Sequence, residues 1–435
     1  MGVIRGDFSC LEKTYVDALC AEIDMYAREL PWRGSRCQSI FFGGGTPSLF
    51  SASSIDRLIQ HAAKYFQFSR DIEITLEANP GTLKEDLGDS KLRELRSAGV
   101  NRLSIGVQSF RQEKLAFLGR AHSGADAVSS IHKAREAGFT NVSMDLMFGV
   151  GSELLEDWLG DLQQAVSLSP EHISAYGLTI ESGTDFGLRA ARGEQLTISD
   201  SEFAELYIEG RRFLGDCGYL QYEVSNYALS GRECRHNLGY WRQSCYLGIG
   251  AGAHSYYTHH NSKFRLSENI LGPSLKVTQS PILAILQYCC GLAQSQLPNM
   301  TPICFQRKRN SELRWVYSAE KINSGLEVQR WWNVPGPKLY VERCLTGVSP
   351  ISSQETLLPW QQELEFISLR LRLAEGFSTA EYESAFGVNI EDRFGETLKR
   401  LRADGLLEED SSFSSQIKVS PRGLLLLNSV IEEFA

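Results

Sequence analysis

The stretch Ser39-Ile40-Phe41-Phe42-Gly43-Gly44-Gly45-Thr46-Pro47 constrains the fold of this chain more than any other. Ile40, Phe41 and Phe42 read as a buried strand, and a breaker follows at once. Three successive glycines remove every Cβ, so the backbone can approach a ligand closely and take positive φ. Pro47 then fixes φ and ends strand pairing. Alone, the run reads equally well as a tight turn after a core strand. The chain that follows favours a binding loop.

A helix is expected over 15–30, where Val16, Leu19, Ile23 and Tyr26 fall three and four apart, with Thr14 as its N-cap. Residues 1–13 show no element. After the glycine run, Ser53 or Ser54 caps a helix carrying Ile55, Leu58, Ile59 and Ala62. Residues 71–79 alternate Ile72, Ile74 and Leu76 against Glu73, Thr75 and Glu77, a strand that stops at Asn79-Pro80-Gly81. A helix over 92–98 leads to a strand over 102–107, ending at Gln108. A helix over 125–137, a strand over 141–147 carrying Asp145, a helix over 154–167, a strand over 171–180 and a helix over 201–216 follow. Strand and helix thus alternate at least five times, which predicts a parallel sheet with crossover helices, open or closed into a barrel. Such folds hold ligands at the carboxyl ends of their strands. Gly43, Gly44, Gly45, Thr46, Glu77, Gln108 and Asp145 are therefore expected to converge.

From Tyr219 the texture changes. Tyr222-Glu223-Val224-Ser225-Asn226-Tyr227, His236-Asn237-Leu238-Gly239-Tyr240-Trp241 and Gly248-Ile249-Gly250-Ala251-Gly252-Ala253-His254-Ser255 are dense in glycine, aromatics and histidine. They suit a flat aromatic ligand or a packed edge over a barrel mouth. Residues 256–329 show no sustained period and hold the adjacent Cys289-Cys290 and the basic Arg307-Lys308-Arg309. Helical segments around Tyr340, Phe366 and Phe394, a polar–apolar alternation over 416–419 and a helix from Gly423 suggest a winged-helix-like α+β unit. Leu369-Arg370-Leu371-Arg372-Leu373 alternates as a strand does. The domains expected are 1–255, a poorly ordered insertion over 256–329, and 330–435. A net charge of −9 gives no electrostatic footprint for nucleic acid. No apolar run approaches the roughly 20 residues that span a bilayer. Ten cysteines without regular spacing do not read as a secreted disulfide scaffold. The first residues show no targeting segment, which leaves a cytoplasmic location, or a mitochondrial or chloroplast one, as the expectation.

With these residues in view, the chain resembles the radical S-adenosylmethionine proteins of the coproporphyrinogen dehydrogenase and haem chaperone group, the HemN and HemW group. The likeness runs through Phe41-Phe42-Gly43-Gly44-Gly45-Thr46-Pro47, Glu77-Ala78-Asn79-Pro80, Arg102-Leu103-Ser104-Ile105-Gly106-Val107-Gln108-Ser109-Phe110, Leu118-Gly119-Arg120-Ala121-His122 and Met144-Asp145-Leu146-Met147-Phe148-Gly149. It continues through Glu223-Val224-Ser225-Asn226-Tyr227, the His236 to Trp241 stretch and Gly250-Ala251-Gly252-Ala253-His254-Ser255. The short His-Asn-x-x-Tyr-Trp layout is nearer the haem chaperone branch than the oxygen-independent oxidase.

The resemblance implies an α/β fold, a partial (β/α)6 radical-SAM barrel with a C-terminal winged-helix-like domain. It implies S-adenosylmethionine held by Gly43, Gly44, Gly45 and Thr46 at its methionyl end, faced by Glu77, with Gln108, Arg120 and Asp145 on its carboxylate and ribose. Backbone N–H groups and a bidentate Arg120 suit a carboxylate, and Asp145 suits ribose hydroxyls. It further implies haem, with His236, Tyr240 and His254 as candidate contacts, and haem-accepting proteins as partners. Oxidative decarboxylation of coproporphyrinogen III is the alternative activity. The group begins with a strand leading into CxxxCxxC, whose thiolates hold a 4Fe–4S cluster. Cys10, Cys20 and Cys37 lack that spacing, and Cys20 falls inside the first expected helix. The first barrel strand and the cluster ligands are therefore expected to be missing, and 256–329 to have no counterpart in the group. An ordinary phosphate site at Gly43 to Thr46 is a weaker reading, because no lysine follows the glycines as in a P-loop.

Overall fold

The computed structural model describes residues 8–28, 32–83, 87–260, 326–409 and 415–435. Five strands run parallel and side by side in chain order: β1 (Arg36–Phe42), β2 (Gln67–Ala78), β3 (Arg102–Gln108), β4 (Val142–Phe148) and β5 (His172–Gly177). A hairpin of β6 (Leu220–Glu223) and β7 (Asn226–Ala228) continues the sheet, with β7 antiparallel to β5. The sheet, ordered β1-β2-β3-β4-β5-β7-β6, is curled into a half-barrel. The helices of this part are α1 (Phe8–Ala27), α2 (Ala52–Ala63), α3 (Leu87–Ser97), α4 (Gln112–Phe117), α5 (Gly124–Glu136), α6 (Leu155–Ser167), α7 (Asp185–Ala191), α8 (Asp200–Asp216) and α9 (Arg235–Trp241).

Strand alternation gives the sheet two unlike faces. Register pairs Phe42 with Leu76, Leu76 with Leu103, Leu103 with Val142 and Met144 with Ile173. These residues face the helices in one apolar core with Ile55, Ile131, Trp158 and Leu206. The residues between them face the hollow of the half-barrel. Register pairs Phe41 with Thr75, Glu77 with Ser104, Ser104 with Ser143 and Asp145 with Ser174. The period-two pattern of the sequence thus places a polar wall inside the curl.

Three local readings of the sequence are corrected. The first helix begins at Phe8, and Thr14 is not its cap: the Thr14 hydroxyl donates to the Cys10 carbonyl one turn back (2.8 Å). A mid-helix threonine can satisfy itself in this way, so its side chain did not mark a start. The second helix is capped by Ser51, neither Ser53 nor Ser54. The Ser51 hydroxyl accepts from the Ser54 N–H, and Ser51 N–H and Oγ both donate to Glu12 (2.8 and 2.7 Å). The stretch at 369–373 is not a strand. It is the end of the helix Pro359–Arg370 and the turn after it, with Ile367 and Leu371 buried on a helical face.

A second sheet joins β8 (His254–His260), β9 (Leu326–Asn333) and β10 (Ile351–Thr356) in the order β10-β9-β8. β8 and β9 are antiparallel neighbours from His254 against Trp332 to His260 against Leu326. The two ends of the stretch read as an insertion are therefore paired strands. Residues 261–325, with Cys289-Cys290 and Arg307-Lys308-Arg309, lie outside the described residues. α1 packs on the following helix, α10 (Pro337–Leu345), through Val16, Leu19, Tyr340 and Cys344. Glu22 of α1 is buried there; it accepts from Gly250 N–H (2.8 Å), Asn333 Nδ2 (2.7 Å) and the Tyr340 hydroxyl, and burial pushes it up to about 7. The C-terminal unit packs helices Pro359–Arg370, Thr379–Phe386 and Ile390–Ala403 against a short hairpin, Phe377–Ser378 with Gln416–Ile417, around Phe366, Phe377, Tyr382, Phe386 and Leu398. Among the described residues no helix is long and apolar enough to cross a membrane.

Candidate functional site

The end of β1 opens into the glycine run, whose three glycines are exposed. Gly44 has φ +80°, a conformation most residues avoid. Its N–H donates to the carboxylate of Glu77 at the end of β2. A methyl group on Gly43 would lie 2.5 Å from Phe41 Cε1 and 2.9 Å from Glu77 Oε1, so only glycine lets the loop turn over Glu77. Gly43→Ala is expected to destabilise the fold by about 1–3 kcal/mol, the usual scale of overpacking, and to displace Glu77. Denaturant unfolding of the variant beside wild type measures this.

Glu77 is raised to about 7, by its burial first and then by the nearby charge of Asp145. Asp145, at the middle of β4, is also pushed up by burial, against the hydroxyls of Ser174 and Ser104 and the charges of Arg102 and Arg120. The Ser104 hydroxyl lies 3.1 Å from each Asp145 oxygen. Arg120 is half-buried beyond β3, close enough for Asp145 to support its charge. Asn79 Nδ2 donates to Thr46 Oγ1 (3.4 Å). The Asn79 and Gln108 amides both crowd Gly106: a Cβ there would meet Gln108 Nε2 at 3.1 Å and Asn79 Oδ1 at 3.3 Å. Gln108 itself has φ +65°, a strained state for a non-glycine residue and one that recurs at ligand sites. Gly43 to Thr46, Glu77 and Gln108 thus stand at the carboxyl ends of β1 to β3, with Arg120 beyond β3 and Asp145 on the hollow face of β4. Two carboxyl groups raised by burial, one guanidinium, two amides and open backbone N–H groups can hold a polar ligand carrying both charges.

The aromatic stretch of the sequence forms α9, which closes one side of the hollow. Glu73 of β2 accepts from the backbone N–H groups of Arg235 and His236 (3.2 Å each), so a carboxylate anchors the positive end of the helix. The His236 ring stacks on Phe41, with centroids 4.9 Å apart and planes at 18°. Its Nδ1 lies 3.1 Å from Ser39 Oγ and its Nε2 2.9 Å from the Tyr240 hydroxyl. Burial pushes His236 down to about 4, so the ring is neutral at pH 7. Tyr240 is raised by burial first, then by Cys234 and Glu77. His236 and Tyr240 therefore form one unit. His254 does not join it: it lies on β8, stacked on Trp332 at 5.7 Å, and is lowered to about 4 by burial and then by Arg330.

Cys10 is exposed and Cys20 buried, both on α1, about 15 Å apart along the helix axis at the usual rise. Cys37 lies on β1. Among the described residues no group of three histidine, cysteine or carboxylate side chains could hold a metal.

Sequence reasoning missed the support beneath the site. Lys114 of α4 donates to Glu153 and to Asp161 (3.1 Å), all three nearly inaccessible. Asp161 also accepts from Ser109 Oγ (2.7 Å) and Phe110 N–H (2.8 Å), and Glu153 from Gly149 N–H (2.7 Å). The group ties the chain just beyond β3 to the chain just beyond β4. A lysine in Gln112–Phe117 reads as a surface residue. The available signal was the run Ser109-Phe110 directly after Gln108.

Two family models match the chain: the radical SAM superfamily over residues 12–165 and the HemN C-terminal domain over residues 357–426. The chain is 42% identical over 247 residues to the heme chaperone HemW of Escherichia coli, covering 56% of this chain and 62% of that protein. It is 45% identical over 223 residues to the heme chaperone HemW of Haemophilus influenzae, covering 51% of this chain and 56% of that protein. It is 42% identical over 219 residues to the mouse radical S-adenosyl methionine domain-containing protein 1, mitochondrial, covering 50% and 49%. The chain thus spans roughly half to just over three fifths of the length of these relatives. Among solved structures, the coproporphyrinogen III oxidase HemN of Escherichia coli superposes with a TM-score of 0.67 at 20% identity, over 99% of this chain and 84% of that one, and shares the fold.

Proposed function

We propose, for a chain that belongs to the radical SAM superfamily and carries a HemN C-terminal domain, a haem chaperone-like role in which it binds haem and S-adenosylmethionine. The observation that carries the reading is the His236 to Trp241 helix, whose His236 stacks on Phe41 just before the glycine run, in a chain 35–45% identical to proteins named heme chaperones. Gly43 to Thr46 would receive the methionyl end of S-adenosylmethionine, Arg120 its carboxylate and Asp145 its ribose hydroxyls, with Glu77 facing its positive charge. Bound there, the cofactor supplies a sulfonium that one-electron reduction can cleave. The chain's own residues bind and orient it.

A 4Fe–4S cluster accompanies S-adenosylmethionine in this superfamily. Cys10 and Cys20 stand far apart along one helix and Cys37 on a strand, so these three do not fit one. Coproporphyrinogen oxidation, which needs that cluster, is the lesser reading. A haem-accepting protein would be the partner, in the cytoplasm or an organelle; the mouse relative is named as mitochondrial.

Haem titration by absorbance tests the role, on wild type beside His236→Ala and His254→Ala. Both histidines are neutral at pH 7 and present the form that ligates iron. His236 must release Ser39 or Tyr240 to do so. His236→Ala is expected to weaken haem binding about tenfold. Identical Soret shifts and affinities in all three proteins would remove both histidines from the site.

A further inference from the structure

The turn after the helix Pro359–Arg370 runs beside β6. Val224 N–H donates to the Arg372 carbonyl (3.1 Å), Ala374 N–H to the Tyr222 carbonyl (3.0 Å), and Leu373 bridges Glu223. This backbone pairing carries the Arg372 side chain toward the far end of α9, where its guanidinium carbon lies 5.8 Å from the centre of the Trp241 ring. Arg372 is 6% exposed. The neighbouring cations are paired: Arg370 with Glu381 at 3.2 Å and Arg242 with Glu375 at 2.7 Å. The Arg372 side chain enters no ion pair or hydrogen bond among the described residues, and its Nε is buried without an acceptor. Glu223, a carboxylate whose charge Arg372 favours, is already taken by Ser225 N–H (3.1 Å) and by Asn226. Trp241 Nε1, on the ring that Arg372 faces, is likewise buried without an acceptor.

A buried guanidinium is costly unless it is paired. Arg372 Nε, near the ring, and Trp241 Nε1, on its edge, are two unmet donors that an acceptor carrying negative charge would satisfy. Guanidinium recognises a carboxylate through two parallel bonds, and the indole face accommodates a flat apolar body beside it. We infer that Arg372 and Trp241 form a carboxylate-receiving subsite between α9 and the C-terminal unit, for an acid group borne on a flat aromatic ligand. α9 reaches from β1 to the helix Pro359–Arg370, so this subsite lies at the opposite end of the helix from the His236 and Phe41 stack. That the acid belongs to a porphyrin rests on the function proposed above. That the subsite takes a carboxylate does not.

The full chain is titrated with protoporphyrin IX and with its dimethyl ester, using wild type, Arg372→Met and Arg372→Lys. In parallel, benzoate is titrated while the arginine Nε–H resonances of isotope-labelled protein are followed, with Arg372 assigned by its loss in Arg372→Lys. Wild type is expected to bind the free acid roughly ten- to a hundredfold more tightly than the ester, the scale of a charge-assisted pair. Arg372→Met brings that ratio to about one with ester affinity kept, and benzoate moves the Arg372 resonance. Arg372→Met also melts no lower than wild type, because it deletes a donor buried without an acceptor, whereas a structural arginine would do the reverse. If benzoate moves the resonance and neither porphyrin binds, the subsite stands and the haem reading falls. If acid and ester bind wild type alike and benzoate leaves Arg372 unmoved, the subsite is overturned.

Discussion

Replacing Lys114 with methionine is expected to destabilise the protein by about 3–5 kcal/mol, the cost of breaking a buried ion pair by removing one partner. Glu153 and Asp161 would be left as two carboxylates with 1% side-chain exposure and no cation. Glu153 is already raised by burial, with Lys114 opposing that rise. Without Lys114 its folded-state value climbs further above the unfolded one, so the folded state of the variant takes up a proton. The loss is then greatest at pH 8 and shrinks as pH falls toward 5, where the folded carboxyl is protonated. Adding Glu153→Gln to the variant should recover part of the loss. Urea unfolding at the two pH values measures all of this. An equal deficit at both would show that Lys114 contributes by packing on Trp158, 5.3 Å from its ammonium, and not by charge. The effect reaches function, because the same cluster holds the chain just beyond Gln108 and Asp145.

S-adenosylmethionine binding is expected to expel a proton from Glu77. The unliganded carboxyl sits at about 7, raised by burial and by Asp145. A sulfonium and an ammonium arriving beside it favour the carboxylate. At pH 7 close to half of the molecules carry the proton, and binding removes it. The sign follows: affinity is full above about pH 7 and falls as pH drops through that value, by up to tenfold per unit. Calorimetry in two buffers of different ionisation enthalpy reads the proton directly. Glu77→Gln should abolish the release and weaken binding by roughly ten- to a hundredfold, the range of a charge-assisted contact. Asp145→Asn should lower the Glu77 value and reduce the release at pH 7. If wild type and Glu77→Gln release the same number of protons, Glu77 does not face the ligand.

The parallel sheet was legible because its signals are local. Ile72, Ile74 and Leu76 against Glu73, Thr75 and Glu77 spell out β2 and its two faces, and the glycine run marks where β1 must stop. The strand-end residues were legible because a parallel sheet brings strand ends together whatever their separation in sequence. Contacts that depend on distant pairing were not. Glu73 reads as a strand's polar face, yet it accepts from Arg235 and His236, more than 150 positions away. The pairing of β8 with β9 spans residues 261–325, and no local period announces it. Thr14 carried a cap's chemistry but not its place, because helix-start residues also satisfy themselves inside a helix. Arg372 looked like the polar half of a strand alternation, and only the fold sets it against Trp241.

A crystal structure of the chain grown with S-adenosylmethionine tests the central claim most directly, that Gly43 to Thr46, Glu77, Gln108, Arg120 and Asp145 form one ligand site. The account predicts ligand density over the carboxyl ends of β1 to β4, with the methionyl end on the glycine run, the carboxylate at Arg120 and the ribose at Asp145. Density elsewhere, or none at these residues at a concentration that saturates the calorimetric signal, would contradict it.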